Sequence, residues 1–520
     1  MATDKYLLSI DVGTTNCKSI VFDKNGRPVG FAYKELSNIR DRLGPGWVEQ
    51  DALAIWNAVC ETTNRVLHQH PDVRGKIAGV GVTTLRQSIL PVDKDGEPLR
   101  YILPWNIRAT RGEAKWIKEH ISEEKVYRIT GVPITPLWTM PSFIYMKQKE
   151  SQIHRKAYKF LEVQDFVLHK LGVEDFVTDY SQASCTSLFD IHALEWSREL
   201  CEFVDVPLHK LPRVVPPGTL VGKVSKTAAR LTSLIAGTPL CIAGGDSQVS
   251  ALGCGVTEPG TANVVIGTSA VANAFIDNLI LDTKRVLVCH PHAYSGKYVL
   301  DHNTLTGGNA YRWFRDNFYP IEKTVLQKAG ESTYKLMNAE IVQVPAGANG
   351  VLFLPHLVGA ASPYWDDSAS GCFLGITLST TRSEILQSVI EGICLEVRKG
   401  FELMSQFGVE FHQVRVSGGA CCQDSPWNQI QADVYGKTLL VLGVEDTTAL
   451  GAAMLTSVAV DIWESIPIAA KNMVKISREV KPNPENHEKY TRLLDVQDQA
   501  YRSLSDAKVY NKIEELRRGS

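Results

Sequence analysis

The chain has 520 residues, 44% of them hydrophobic and 22% charged, with a formal net charge of −2. That length exceeds what one hydrophobic core usually supports and predicts two large domains, while the near-neutral charge gives no global pull toward nucleic acid or a membrane surface. No apolar run approaches a membrane span, MATDKYLLSID enters a strand too early to hold a secretory signal, and the eleven cysteines show no CxxC or finger spacing. A cytoplasmic protein with reduced thiols and small-molecule partners is expected, with a homodimer left open.

In chain order, LLSID and SIVFD read as strands on either side of DVGTTN, NGRPVG as a turn, DALAIWNAVCETTNRVLHQH as a helix and KIAGVGVTT as a strand, an α/β pattern. From about Arg111 to Arg230 helical patterns dominate, so this region is expected to insert into or cap the first domain. A second α/β segment opens with the buried strand LCIAG, followed by GGDSQ, and VVIGTSA then echoes IDVGTT. Ile385, Val389, Ile393, Val397 and Phe401 share one face of a long helix from Ser383, and VRVSGGACCQDSPWNQIQ repeats strand, double glycine, helix. Cys421-Cys422 is read as two small residues opening that helix.

Four glycine-centred loops each follow an apolar strand: Asp11 to Asn16, Gly267-Thr268-Ser269, Thr306 to Asn309, and Ser417 to Ala420. Glycine lets backbone N–H groups approach an anion, and a following helix adds its positive end. Their recurrence points to nucleotide phosphates, although none is a Walker or dinucleotide-binding fingerprint. Asp11 and Asp246 directly follow strands, where a carboxylate can orient Mg²⁺ or take a proton from a hydroxyl nucleophile. The competing reading of Asp246 is an N-cap for SQVSALG. His290-Pro-His292 is a poor chelate, Trp47 either stacks on substrate or covers core, and residues 363–367 are read as a structural loop.

IDVGTTNCK, GWVEQD, GEPL, GGDSQ, IGTSA, NAYRWFRD, LPHLVGAASPYWDDSASGCFLGI, SGGA and TTALGAAML together resemble the FGGY family of carbohydrate kinases over nearly the whole chain. The most specific stretch runs from Gly371 to Glu391. The resemblance implies two actin-like (ribonuclease H-like) ATPase domains around a central cleft, residues 1–254 and 255–520, with ATP and Mg²⁺ as cofactors. It implies that Gly13, Thr14, Thr15 and Asn16 meet the phosphates and Asp11 helps place Mg²⁺, with Lys18 at an often basic position. It makes Asp246 the general base, in contact with the metal and substrate, with Ser247 beside it. Gly267 and Thr268 match the second phosphate loop, Gly308 and Arg312 match positions near the phosphates, and Gly418, Gly419 and Gln423 match the adenosine site.

The sugar is less sharply written. Arg86-Gln87 stands where glycerol kinases resembling this chain carry Arg-Glu and xylulose kinases carry Met-His, and Leu137 stands where a glycerol kinase has Tyr, so glycerol is disfavoured. Trp105 belongs to the next substrate motif, in which either Asn106 or Ile107 replaces the usual Asp, with Arg108 close by. FVTDYSQASCTSLFDI resembles pentulose and gluconate kinases. The expected activity is phosphorylation of a five-carbon ketose such as xylulose; the alternatives are the autoinducer-2 dione or gluconate, and, further off, a non-catalytic actin-like sensor.

Overall fold

The central strands of the first unit, such as Tyr6–Val12 and Ile77–Thr84, form where buried residues run nearly unbroken. The structure, a computed structural model, describes residues 5–44, 46–107, 109–418 and 426–518. It divides into two compact units, one of residues 1–258, 275–299 and 446–475, the other of residues 259–274, 300–445 and 476–520.

The first unit is built on a six-stranded sheet ordered Thr219–Lys223, Pro239–Gly245, Ile77–Thr84, Tyr6–Val12, Asn16–Asp23, Pro28–Glu35. Tyr6–Val12 runs antiparallel to Asn16–Asp23 but parallel to Ile77–Thr84, which is in turn parallel to Pro239–Gly245. Helix Ala52–Gln69 forms as expected, with the Asp51 side chain accepting from the Leu53 and Ala54 amides. One departure is at NGRPVG, read from sequence as a turn, whose last three residues open a third strand, Pro28–Glu35. Its residues alternate buried and exposed, and Phe31 and Tyr33 are left on the open face.

The helical middle region has a core of its own, including Ile117, Phe143, Phe160 and Leu200. Trp47 belongs to that core, 9% exposed with its ring centroid 4.5 Å from that of Tyr145, so its covering role is the one observed. Residues 446–475 join the first unit because helix Thr447–Ala459 lies on the strands Tyr6–Val12, Ile77–Thr84 and Pro239–Gly245 and on helix Asp246–Gly253. The two helices meet through glycine: a Cβ on Gly253 would stand 1.8 Å from Thr447 O, and one on Gly451 2.0 Å from Val249 O. Any side chain there would force the helices apart.

In the second unit Thr261–Ile266 runs parallel to Gln413–Ser417, and the latter parallel to Thr438–Leu442. The long helix spans Arg382–Gln406 and opens with a reciprocal Thr381–Glu384 capping box. The 363–367 segment is held structurally: Tyr364 donates to Asp498 at 2.9 Å and Tyr501 to Asp366 at 3.0 Å. Among the described residues no helix is long and apolar enough to cross a membrane.

Candidate active site

Three parallel strands of the first unit end level with one another. The register pairs Val12 with Thr84 and Thr84 with Gly245. The segments leaving those strands therefore emerge at one sheet edge: the 13–16 turn, Leu85-Arg86-Gln87, and Asp246. Carboxyl edges of parallel strands are where open α/β sheets keep their ligands.

The 13–16 turn is a true hairpin, closed by the Gly13 amide on Asn16 O at 2.8 Å. Gln50 Nε2 donates to Thr14 O at 2.8 Å and Trp105 Nε1 to Thr14 Oγ1 at 2.9 Å, so Trp105 braces this turn. Ile107 is buried in the neighbouring core, whereas Asn106 Oδ1 is a buried acceptor without a partner among the described residues, which makes Asn106 the polar member of that motif.

Hairpin register places Asp11 opposite Lys18. Lys18 Nζ lies 3.8 Å from Asp11 Oδ2 and 2.6 Å from Asp446 Oδ2. Burial pushes the Asp11 carboxyl up to about 7; Lys18 opposes that shift, and the negative fields of Asp446 and Asp246 add to it. Asp446 also caps its helix, accepting from the Ala449 amide at 3.2 Å. Sequence reasoning missed it.

Asp246 is the first residue of helix Asp246–Gly253, whose N-cap is Gly245, so the capping alternative does not hold. Its side chain keeps 38% of its surface open, with Oδ1 2.8 Å from the Ser247 amide and 3.5 Å from Arg86 Nε. Crowding by the protein raises its pKa, and Arg86 and the Ser247 amide pull it back down. The double glycine makes the arrangement possible. Gly244 sits at φ +123°, and a Cβ on Gly245 would stand 2.6 Å and 2.7 Å from Arg86 Cγ and Cδ.

Arg86 and Gln87 are both buried, and Gln87 holds a left-handed backbone at φ +55°. Such strain persists only where the surroundings impose it. Here Glu162 does so, its Oε2 accepting from the Ser88 amide at 2.8 Å and from Ser88 Oγ at 2.6 Å. Burial pushes the Glu162 carboxyl up to about 8.

Behind Arg86 lies His290, read from sequence only as half of a poor chelate. Its Nδ1 is 3.0 Å from Ser184 Oγ and its ring stands edge-on to Trp138. Burial, helped by Arg86, holds its pKa well below the usual histidine value, so the ring is neutral. His292 instead uses Nε2 on Val256 O at 2.7 Å. His290 Nε2, Trp138 Nε1 and both side-chain polar atoms of Gln248 are buried without a hydrogen-bond partner among the described residues. Among the described residues no three His, Cys, Asp or Glu side chains converge as a metal site.

In the second unit the 267–269 and 306–309 loops knit together. The Gly307 and Asn309 amides donate to Thr268 O, and the Gly308 amide to Gly267 O at 2.8 Å. The Gly308 N–H is thus committed to the knit, leaving the exposed tip at Gly267 and Thr268, with Arg312 exposed on helix Gly308–Phe318. Gly418, at φ +103°, packs its backbone against Ile266. Gly419 and Gln423 lie outside the described residues, as do Arg108 and Cys421-Cys422.

Residues 6–253 match the N-terminal domain profile, and residues 262–460 the C-terminal domain profile, of the FGGY family of carbohydrate kinases. The chain belongs to this family. It is accordingly an ATP-dependent sugar kinase, a phosphotransferase with an alcohol group as acceptor. Glycerol kinase 2 of Thermotoga maritima is 31% identical over 497 residues, covering 93% of this chain and 96% of that one. Gluconate kinase from Lactobacillus acidophilus superposes with a TM-score of 0.88 at 22% identity, covering 98% of this FGGY chain and 100% of that one. A ligand-bound xylulose kinase from the same organism gives the same score, identity and coverage. These likenesses establish the two-domain α/β fold, of the actin-like (ribonuclease H-like) ATPase type.

Proposed function

We propose that this kinase transfers the terminal phosphoryl group of ATP to a hydroxyl of a small open-chain sugar, a five-carbon ketose such as xylulose, with Asp246 as general base. The observation that carries the reading is Asp246 at the strand edge, paired with Arg86 in a neighbourhood of buried polar atoms that lack partners among the described residues. Such atoms are costly unless something satisfies them, and a polyhydroxylated acceptor supplies alternating donors and acceptors. Arg86, Gln87 and Ser247 are assigned to that acceptor. Trp105 takes a supporting role, through Thr14. Leu137 and Gln87, in place of the Tyr and Glu of glycerol kinases, favour an acceptor longer than glycerol.

A sugar hydroxyl has a pKa far above 7, so the base helps only as the bond to phosphorus forms, contributing about 10² to 10⁴-fold. Gly13, Thr14, Thr15, Asn16, Gly267, Thr268, Gly308, Arg312 and Gly418, with Gly419 and Gln423, are assigned to the nucleotide. Asp11 and Asp246 fit a Mg²⁺ ion carried in with the phosphates. Asp11 is buried and charge-crowded, a state a cation relieves. When bound, the ion neutralises charge on the transferring phosphoryl group.

The test is a coupled ADP-release screen over C3 to C7 polyols, ketoses, aldonates and the autoinducer-2 precursor, repeated on Arg86→Ala and Gln87→Ala. A five-carbon ketose is expected to give the highest kcat/KM, with both variants raising its KM. Preference for glycerol or gluconate would replace the assigned acceptor; no ADP release with any of them would remove the catalytic reading.

A further inference from the structure

We infer that Asp179 is a positioning residue for the catalytic carboxylate, acting through Ser181 and Gln164 on the two backbone amides that immediately precede Asp246. This rests on the assignment of Asp246 as the base. Asp179 ends the short strand Val177–Asp179 and is fully buried. Its Oδ1 accepts from the Ser181 amide at 2.8 Å and from Ser181 Oγ at 2.5 Å, while Oδ2 accepts from Gln164 Nε2 at 2.7 Å. The second half of each side chain then reaches the glycines. Ser181 Oγ accepts from the Gly245 amide at 2.8 Å and Gln164 Oε1 from the Gly244 amide at 2.9 Å.

Polarity is what makes this a relay and not ordinary packing. A backbone amide only donates hydrogen bonds, and Asp179 is the acceptor at the other end of both side chains. Ser181 must therefore point its proton at Asp179 and offer a lone pair to Gly245, and Gln164 must turn its NH₂ to Asp179 and its oxygen to Gly244. The two amides at one end and Asp179 at the other thus fix the direction of both bonds; burial raises the Asp179 pKa, and the hydrogen bonds from Ser181 and Gln164 lower it. The Gly244 carbonyl is held as well, by Thr83 Oγ1 at 2.8 Å. The relay also occupies the space a side chain would need, since a Cβ on Gly244 would stand 2.7 Å from Ser181 Oγ and 3.1 Å from Asp179 Oδ1. The Gly244–Gly245 backbone is thus clamped on both polar sides directly before the residue whose carboxylate must meet the acceptor hydroxyl. A base displaced by about 1 Å costs about 10²-fold in rate.

The experiment is a double-mutant cycle on the full-length enzyme with ATP-Mg²⁺ and xylulose, or whichever acceptor gives the most ADP in the screen. Ser181→Ala is expected to lower kcat by about 10 to 10²-fold while the KM for ATP stays within twofold, and Ser181→Thr, which keeps the hydroxyl, to recover most of it. In an Asp246→Asn background Ser181→Ala is expected to cost less than twofold, because the group it positions is gone. Asp179→Asn should act like Ser181→Ala; Ser181→Ala keeps the test open should burial make Asp179→Asn fold poorly. Undiminished kcat in Ser181→Ala, or an equal loss in both backgrounds, overturns the relay alone. Full activity in Asp246→Asn overturns the relay together with the assignment of the base.

Discussion

Lys18 and Asp446, 428 positions apart, form a hydrogen-bonded ion pair of 2.6 Å beside the buried carboxylate of Asp11. Asp446 does two jobs, holding the Lys18 ammonium and capping helix Thr447–Ala459. Asp446→Ala should destabilise the protein by about 1–3 kcal/mol, from the lost cap and the lost charge-assisted bond. Asp446→Asn keeps the cap and should cost less than half of that. Thermal or urea unfolding of the pair decides it: equal losses would mean that capping contributes nothing.

Asp11 should make stability depend on pH in an unusual direction. Its folded value of about 7 stands above the ordinary 3.8, so between those pH values the folded protein holds a proton that the unfolded chain releases. Stability from this group therefore falls as pH rises from about 4 to about 7 and stays low above. Asp11→Asn should raise the melting temperature at pH 8 by a few degrees, show no gain at pH 4, and abolish turnover. Melting curves at the two pH values check it, and a variant less stable than wild type at pH 8 would contradict it.

Asp246→Asn should lower kcat by about 10² to 10⁴-fold with ATP affinity retained. Arg86 opposes the upward shift of the Asp246 pKa. Arg86→Ala should therefore move the acid limb of the kcat/KM profile to higher pH, whatever it also does to acceptor binding. An unmoved limb would show that Asp246 is not the group titrating there.

Gly245→Ala puts a methyl 2.6 Å from Arg86 Cγ without requiring a forbidden backbone angle. Arg86 must give way, and the acceptor KM should rise about tenfold while the ATP KM stays constant. Steady-state kinetics with each substrate varied in turn would expose an unchanged acceptor KM.

In the second unit, Gly307→Ala places a Cβ 2.4 Å from the Ser269 carbonyl carbon, which is backbone and cannot rotate away. The knit of the two loops should open and the KM for ATP rise at least tenfold, with acceptor KM changed less. Nucleotide affinity by calorimetry checks it, and wild-type affinity would exclude these loops from the nucleotide site.

Locally written features were legible in the sequence. IDVGTTNCK shows its strand, turn and strand directly, while the register that sets Asp11 opposite Lys18 came with the structure. The long helix Arg382–Gln406 announces itself by the apolar spacing from Ile385 to Phe401. Pro28–Glu35 escaped because an edge strand needs apolar residues on one face only, and Pro28 and Gly30 read as turn. Asp446, His290 and Asp179 escaped for another reason. Each carries weight only through a partner far along the chain, and their own surroundings look like an ordinary cap, a proline-spaced histidine pair and a strand end.

By itself the sequence determined the family, the alternation of strands and helices, and the residue types at each strand end, because these depend on spacing within a few residues. The tertiary structure decided which strand ends lie level, which segments return to the first unit, and which buried charges face one another. Those follow from parallel register and helix packing, whose energies come from surfaces that meet only once the whole sheet is assembled.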